Sequence, residues 1–394
     1  MWMQKGFWDN LSFPIVGLSP MDGVTDAPMR FITKKYGKVD IVYTEFVSAE
    51  GLWRIRKKGY VDHKIWRDLV YDEAERPVIA QLFGSDPDSF FEAAKIVCGL
   101  GFDGIDINMG CPSPGLEKRG GGAGLIRDHG LAAAVIEAAR RGVIDFFDTV
   151  RTAQKSELDL RPWSTSADPL RAAFAGAPAP AKKSTIPVSV KTRIGSTKPD
   201  ENWWRFLADR KLPAVAMHGR TFKQLYKGEA DWDSLLRASE IIRESGAKFL
   251  GNGDVKEIKK SRNQELKIVT KLGKEIDLTG KMDGVLIGRE AIGNPWVLRK
   301  DGYVPTIKEK LKVVVEHAKK FEEIFKKLKN SKKQKFEDKY LIKDSFQFFP
   351  MRKHLASYVK GFEGSVGLRK KLMTAIDAEQ VEMLVVEYLG TEER

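Results

Sequence analysis

The chain has 394 residues, 42% hydrophobic and 31% charged, enough to bury a large α/β core with a smaller unit appended. Lys and Arg outnumber Asp and Glu by 67 to 54, a formal charge of +13. That excess fits either a solvated basic surface or a polyanionic partner whose phosphates release counterions on binding. No apolar run reaches the roughly 20 residues that a membrane span needs, and the first ten residues lack a secretory layout. Two cysteines and five histidines offer neither a disulfide framework nor metal-ligand spacing. The expectation is a monomer of the reducing cytoplasm that binds no metal and no membrane.

In chain order, the predicted strands are Phe13–Met21, Asp40–Phe46, Val78–Gly84, Gly104–Gly110, Val188–Ile194, Ala214–Arg220, Lys248–Asp254 and Gly284–Arg289. Each is a nearly continuous apolar run, as parallel strands covered on both faces require. Helical patterns lie between them, among them Asp86–Gly99, Asp128–Arg141, Asp231–Glu244 and Asp254–Lys260, each opening on an aspartate suited to cap a helix. Eight strand–helix units predict an α/β fold, a TIM (β/α)8 barrel over residues 1–300, with a doubly wound open sheet as the alternative. Two inserts interrupt the repeat. Residues 142–185, whose Ala167–Lys183 is rich in Ala and Pro, read as a linker or mobile loop, and residues 261–282 as a small hairpin. Each follows a helix and precedes a strand, which predicts the bottom face, away from chemistry. Beyond Pro295, the patterns Thr306–Asn330, Ser345–Lys360, Ser365–Ile376 and Asp377–Leu389 predict a small C-terminal helical domain over residues 306–394.

Active sites of this barrel gather at the C-terminal ends of the strands, and that is where the unusual residues fall. Strand one ends in Pro20-Met21-Asp22, strand three contains Gln81, and strand four ends in Asn108-Met109-Gly110-Cys111-Pro112. Strand five ends in Lys191-Thr192-Arg193, six in His218-Gly219-Arg220, seven in Asn252-Gly253-Asp254 and eight in Gly288-Arg289. A thiol between Gly and Pro on an exposed turn suits an acid, base or nucleophile, and the glycines after Arg119 suggest a loop that moves. Lys191 ends a buried strand and needs an acidic partner or a ligand. His218 is either a satisfied core histidine or, beside Lys191, part of a site for an anionic or electron-rich ring. The glycine turns of strands seven and eight fit a phosphate or an ordinary turn. Trp203 and Trp204 are expected to pack between helices, and Cys98 to be an apolar filler. Arg352 and Lys353, with Arg369-Lys370-Lys371, fit either phosphate contacts or a solvated helix face.

Taken together, Pro20 to Asp26, Asp106 to Pro112 with the glycines up to Gly124, Val190 to Arg193, His218 to Thr221, Tyr226 to Gly228, Asn252 to Asp254, Gly284 to Arg289 and Gly293 to Trp296 resemble the motifs of the tRNA-dihydrouridine synthase family. The resemblance implies an FMN-bearing barrel that, with its helical domain, cradles tRNA and reduces uridines with NADPH. It implies that Pro20, Met21, Asp22, Gln81 and Lys191 line the flavin ring, and that His218, Asn252, Gly253, Asp254, Gly288 and Arg289 hold the flavin and its phosphate. Cys111 would protonate uracil C5 while flavin N5 delivers hydride to C6. Asn108, Arg119, Arg193, Arg220, Arg352 and Lys353 are the expected substrate contacts. Phe222 stands where the family commonly has Arg. The rival readings are a small-molecule FMN reductase and a tRNA-binding protein that keeps the fold without the reaction.

Overall fold

The computed structural model describes residues 6–58, 64–155, 185–259, 265–330 and 347–392. Eight parallel strands are laid down in chain order as β1 (Ile15–Leu18), β2 (Ile41–Ser48), β3 (Val78–Phe83), β4 (Gly104–Met109), β5 (Val188–Arg193), β6 (Ala214–His218), β7 (Lys248–Asn252) and, after three strands of a separate sheet, β11 (Gly284–Ile287). They form a closed barrel in which β1 pairs with both β2 and β11, with Ile15 opposite Gly284 and Leu18 opposite Ile287. Closure excludes the open sheet. Glycine is required at 284, where a Cβ would stand 1.9 Å from the Ile15 carbonyl oxygen. A short turn, Gly6–Asn10, sends Trp8 beneath the barrel against Ile15, Tyr43, Ile79, Ala214, Leu250 and Leu286, plugging the end opposite the strand termini that matter for chemistry.

The aspartates expected to start helices do so at Asp86 and Asp231, which accept from Ser89 N and Ser234 N ahead of Pro87–Gly99 and Trp232–Arg243. Two expectations need correction. The helix predicted to stop at Arg141 runs from His129 to Lys155, because Val143, Phe146, Phe147 and Val150 continue its apolar stripe and are buried. The first insert therefore begins as helix and not as linker; residues 156–184, with Ala167–Lys183, lie outside the described residues.

The second correction concerns the helix expected over Asp254–Lys260: its described residues, up to Lys259, form none. Val255–Ile258 is a strand, β8, pairing antiparallel with β9 (Lys267–Thr270), which pairs in turn with β10 (Glu275–Asp277). Val255 and Ile258 are buried while Lys256 and Glu257 are exposed, and pairing with β9 outweighs the local capping signal. The predicted hairpin is β9–β10, but its placement differs from the expectation. β8 descends from the mouth of the barrel, β9 climbs back, and the turn after Thr270 returns to the mouth, where Lys271 N donates to Asp254 O at 2.9 Å. The second insert therefore reaches the functional face.

The C-terminal helices are Ile307–Asn330, Arg352–Tyr358 (entered by the turn Phe349–Met351), Ser365–Leu372 and Ala378–Glu392. Leu311, Val314, Phe321, Leu355, Leu372 and Val381 form a second core that also takes in Ile32 and Trp296 from the barrel. Three polar groups sit at this joint. Asp26, His317 and His354 bring one ligand-type atom each to within 4.8 Å of the others, a meeting that sequence spacing does not reveal. Asp26 Oδ1 caps the helix Ala27–Ile32 by accepting from Met29 N, and Tyr358 Oη lies 3.1 Å from His317 Nδ1. His354 Nε2 is 3.9 Å from Asp26 Oδ2, too far for a hydrogen bond. Burial, reinforced by the charge of Lys353, holds the His354 imidazole down at about 3, so this contact is not an ion pair. An unfolded histidine titrates near 6.5. Between those values the unfolded chain carries the extra proton, so stability rises with pH and drains away in acid. This side chain alone is expected to cost roughly 1 kcal/mol for each pH unit between 6.5 and about 3. Urea unfolding of the wild type from pH 7 to 5 should be steeper in pH than that of His354→Leu; parallel slopes would refute the assignment.

Candidate active site at the mouth of the barrel

A cavity of about 420 Å³ opens among the C-terminal strand ends. Its lining brings together Pro20, Met21 and Asp22 after β1, Gln81 on β3, Asn108 and Cys111 at β4, Lys191 and Arg193 on β5, and His218 on β6. Asn252 at the end of β7, Gly253 and Asp254 after it, and Gly288 and Arg289 after β11 line it as well.

Cys111 is set in place by a relay of hydrogen bonds that starts in the barrel core. Asp106, fully buried, accepts from Ser189 Oγ and from Gln81 Nε2, both at 2.7 Å. Gln81 Oε1 accepts from Asn108 Nδ2 at 3.0 Å, and Asn108 Oδ1 accepts from the backbone of Gly110 and Cys111 at 3.0 and 2.8 Å. The glycine run does not form a free loop. Gly121 and Gly122 are buried, Ala123 N donates to Cys111 O, and a Cβ on Gly122, at φ +56°, would stand 2.9 Å from that oxygen. The run forms the floor on which the cysteine turn rests. Burial pushes the Cys111 thiol up, opposed in part by the Ser113 backbone and the cations Arg193 and Lys191. The thiol thus stays protonated at neutral pH, the form of an acid and not of a nucleophile.

Lys191 Nζ lies 3.2 Å from Asn252 Oδ1. Desolvation, helped by Arg193, brings this ammonium down to about 8, although its side chain keeps some surface open to the cavity. His218 is held neutral by burial and by Lys191, Arg193, Arg220 and Arg289 around it, and its buried Nδ1 has no hydrogen-bond partner among the described residues. A neutral imidazole ringed by cations, next to an ammonium facing an amide oxygen, is arranged for an anionic or electron-rich ligand.

The remaining expected contacts are placed differently from one another. Arg193 lines the cavity, but its guanidinium donates to Gly110 O, Thr221 O and Leu225 O, tying the turn after β4 to the loop after β6. Arg220 is outside the lining, buried, and bound to Asp254 Oδ2 at 2.7 Å and to the carbonyls of Lys227 and Gly228. Arg119 is exposed on the turn beyond Cys111. On the helical unit, Arg352 donates to the carbonyls of Thr374 and Ala375. Lys353 pulls on the Glu45 carboxyl, which burial nonetheless pushes up to about 7. Trp203 and Trp204 are buried and donate their indole N–H groups to Thr192 Oγ1 and Ile194 O. Cys98 lies in the core.

Sequence reasoning does not single out Phe46, Lys271 or Glu290, all of which line the cavity. Tyr226 carries a signal in the Tyr226-Lys227-Gly228 motif; its ring lies 5.8 Å from the Arg193 guanidinium and 5.3 Å from that of Arg289. The Phe222 ring lies outside the cavity lining, with the Arg127 guanidinium, itself paired with Glu117, 5.8 Å away. None of the described helices is long and apolar enough to cross a membrane.

A closed (β/α)8 barrel with a protonated thiol, buried cations and two glycine turns at its strand ends is the framework of a barrel enzyme with a mouth-facing site. Comparison with known proteins narrows the class: the chain belongs to the dihydrouridine synthase family, whose model matches residues 17–152 and 178–390. It is 28% identical over 391 residues to a probable tRNA-dihydrouridine synthase of Staphylococcus aureus (strain MRSA252), covering 98% of this chain and 96% of that one. It is 26% identical over 390 residues to probable tRNA-dihydrouridine synthase 2 of Bacillus subtilis (strain 168), with 98% and 97% covered. Among solved structures, morphinone reductase is a distant likeness at 14% identity and a TM-score of 0.36, over 75% of this chain and 87% of that one.

Proposed function

We propose that this chain reduces uridines in tRNA to 5,6-dihydrouridine, with FMN as bound cofactor, NADPH as reductant and Cys111 as proton donor. Family membership and the names of its relatives support the substrate. The observation that carries the mechanism is the Cys111 thiol, kept protonated beside a cavity lined with cations.

The residues fit a flavin mononucleotide. The orphaned His218 Nδ1 and the ammonium of Lys191 offer polar partners to a ring rich in N and O, with Pro20, Met21, Asp22 and Gln81 along its walls. Asn252, Gly253, Asp254, Gly288 and Arg289 offer backbone and cationic groups to a phosphate, at the strand ends where such barrels commonly hold one. When bound, FMN recharged by NADPH would supply the hydride for uracil C6.

The protein contributes position and a proton. The relay from Asp106 through Gln81 and Asn108 fixes the Cys111 turn, and the thiol gives its proton to C5 of a uracil turned out of its stack. Unstacking costs a few kcal/mol, roughly, and less in a loop than in a duplex. Asn108 and Arg193 lie beside the base. Arg119, Arg352 and Lys353, with the excess positive charge, face the phosphates, and Arg220 acts through Asp254. The activity belongs to a reducing cytoplasm, with the chain acting as a monomer.

The deciding experiment maps dihydrouridine at each position in tRNA from a strain lacking all such enzymes, after incubation with the purified protein, FMN and NADPH. Product at one or a few positions of the D-loop is expected. A yellow, NADPH-oxidising protein that makes no product would point to a small-molecule flavin reductase.

A further inference from the structure

We infer that Lys271, carried to the mouth by the β9–β10 turn, is the side chain by which this chain selects a phosphorylated flavin over an unphosphorylated one. The inference rests on the flavin reading and adds a residue to it. In (β/α)8 barrels, anions bound after the seventh and eighth strands are commonly met by a helix N-terminus, which presents free N–H groups and the positive end of a dipole. Here the chain leaves β7 as another strand, Val255–Ile258, so a helix starting at Asp254 is not there to play that part. Beyond the one-turn helix Arg289–Ala291, which opens after Gly288, what the fold adds there is a lysine. The β9–β10 turn folds back over the end of β7, pinned by Lys271 N to Asp254 O at 2.9 Å and closed by Thr270 N to Lys274 O at 2.9 Å.

The neighbouring charges leave this cation available to a ligand. Asp254, the acid at the end of β7, already holds Arg220 Nη2 at 2.7 Å and Ala230 N at 2.8 Å. Among the described residues, Lys271 pairs with Glu290, at 2.8 Å, and both side chains are more than a third exposed or close to it, at 38% and 35%. A pair that open to solvent is weakly held, so a phosphate carrying nearly two charges displaces the single carboxylate. Lys271 and Glu290 both line the cavity beside Gly253, Gly288 and Arg289. The lysine therefore shares one cavity wall with both glycine turns and with Arg289.

The test is a fluorescence titration of the full-length apoprotein with FMN and, separately, with riboflavin, which differs only by the phosphate. For the wild type, FMN is expected to bind more tightly than riboflavin. Lys271→Ala is expected to weaken FMN about tenfold, the low end of what a charge-assisted hydrogen bond contributes, and to leave riboflavin unchanged. Lys271→Arg is expected to retain most of the FMN preference. Equal weakening of both ligands in Lys271→Ala would assign the residue to the fold of the turn, and no change in either would leave it without a role at the phosphate; both overturn the inference. A wild type that binds neither ligand would remove the flavin reading itself, a failure distinct from FMN selection that persists without Lys271.

Discussion

Cys111→Ala is expected to slow dihydrouridine formation by about 10²–10⁴-fold, the usual contribution of a positioned general acid, while flavin binding survives. The size of the loss comes from the lack of a ready substitute: Lys191 and Arg193 are tied to Asn252 and to loop carbonyls, and His218 is held neutral by burial and the cations around it. Because burial pushes the thiol up from its ordinary value, the wild-type rate should hold through neutral pH and fall only in alkali, as the thiol loses its proton. Single-turnover rates on prereduced enzyme isolate this step from flavin reduction. A mutant rate within a few-fold of wild type would place the proton donor elsewhere.

The second large effect concerns stability. Arg30 and Glu75 are both fully buried, and Arg30 Nε donates to Glu75 Oε2 at 2.6 Å. The same guanidinium donates to Thr25 O at 2.7 Å and Val70 O at 2.5 Å, and Glu75 Oε1 accepts from Asp72 N at 2.8 Å. Burial pushes the Glu75 carboxyl up to about 7 against the pull of Arg30, so the pair is costly to bury and still more costly to break. Glu75→Ala would strand a buried cation, and a loss of about 3–5 kcal/mol is expected. Glu75→Gln, which keeps an acceptor, should cost less. Equilibrium urea unfolding measures both; an alanine variant within about 1 kcal/mol of wild type, the value of an exposed pair, would mean that solvent reaches the guanidinium. Since Arg30 holds the Thr25 carbonyl, the same variant should loosen the Pro20–Asp22 wall of the cavity.

The barrel is legible in the sequence because its strands are buried on both faces, so runs such as Ala214 to Met217 and Val285 to Ile287 need no partner to be recognised. The polar residues that end those runs are legible for the same reason, since Cys111, Lys191 and Asn252 contrast with the apolar residues before them. The hidden features are those decided by pairing across distance. Asp254 looks like a helix cap, and only the proximity of Ile268 to Ile258 makes a strand of Val255–Ile258. The sequence pattern puts Lys271 at the wrong end of the molecule because nothing local shows that β9 pairs antiparallel with β8 and climbs back to the mouth. The meeting of His317 and His354 with Asp26 brings together three stretches of sequence that share no local pattern. The part played by Gly121 and Gly122 is ambiguous in the sequence because glycine marks both a hinge and a tight fit, and only the position of the Cys111 carbonyl distinguishes them.

The pairing of β1 with β11 bears on how the protein is made. Ile15 through Leu18 are translated well before one of their two neighbouring strands, Gly284–Ile287, which is among the last parts of the barrel to be made. Until then β2 is the sole neighbour of β1, and the strand keeps one unsatisfied edge through most of synthesis, the condition in which nascent chains aggregate or recruit chaperones. Long-range closure of this kind is slow because the intervening loop must first be drawn together. The helices after the barrel come later still, and only then can Leu311 and Leu355 join Ile32 and Trp296 in the second core.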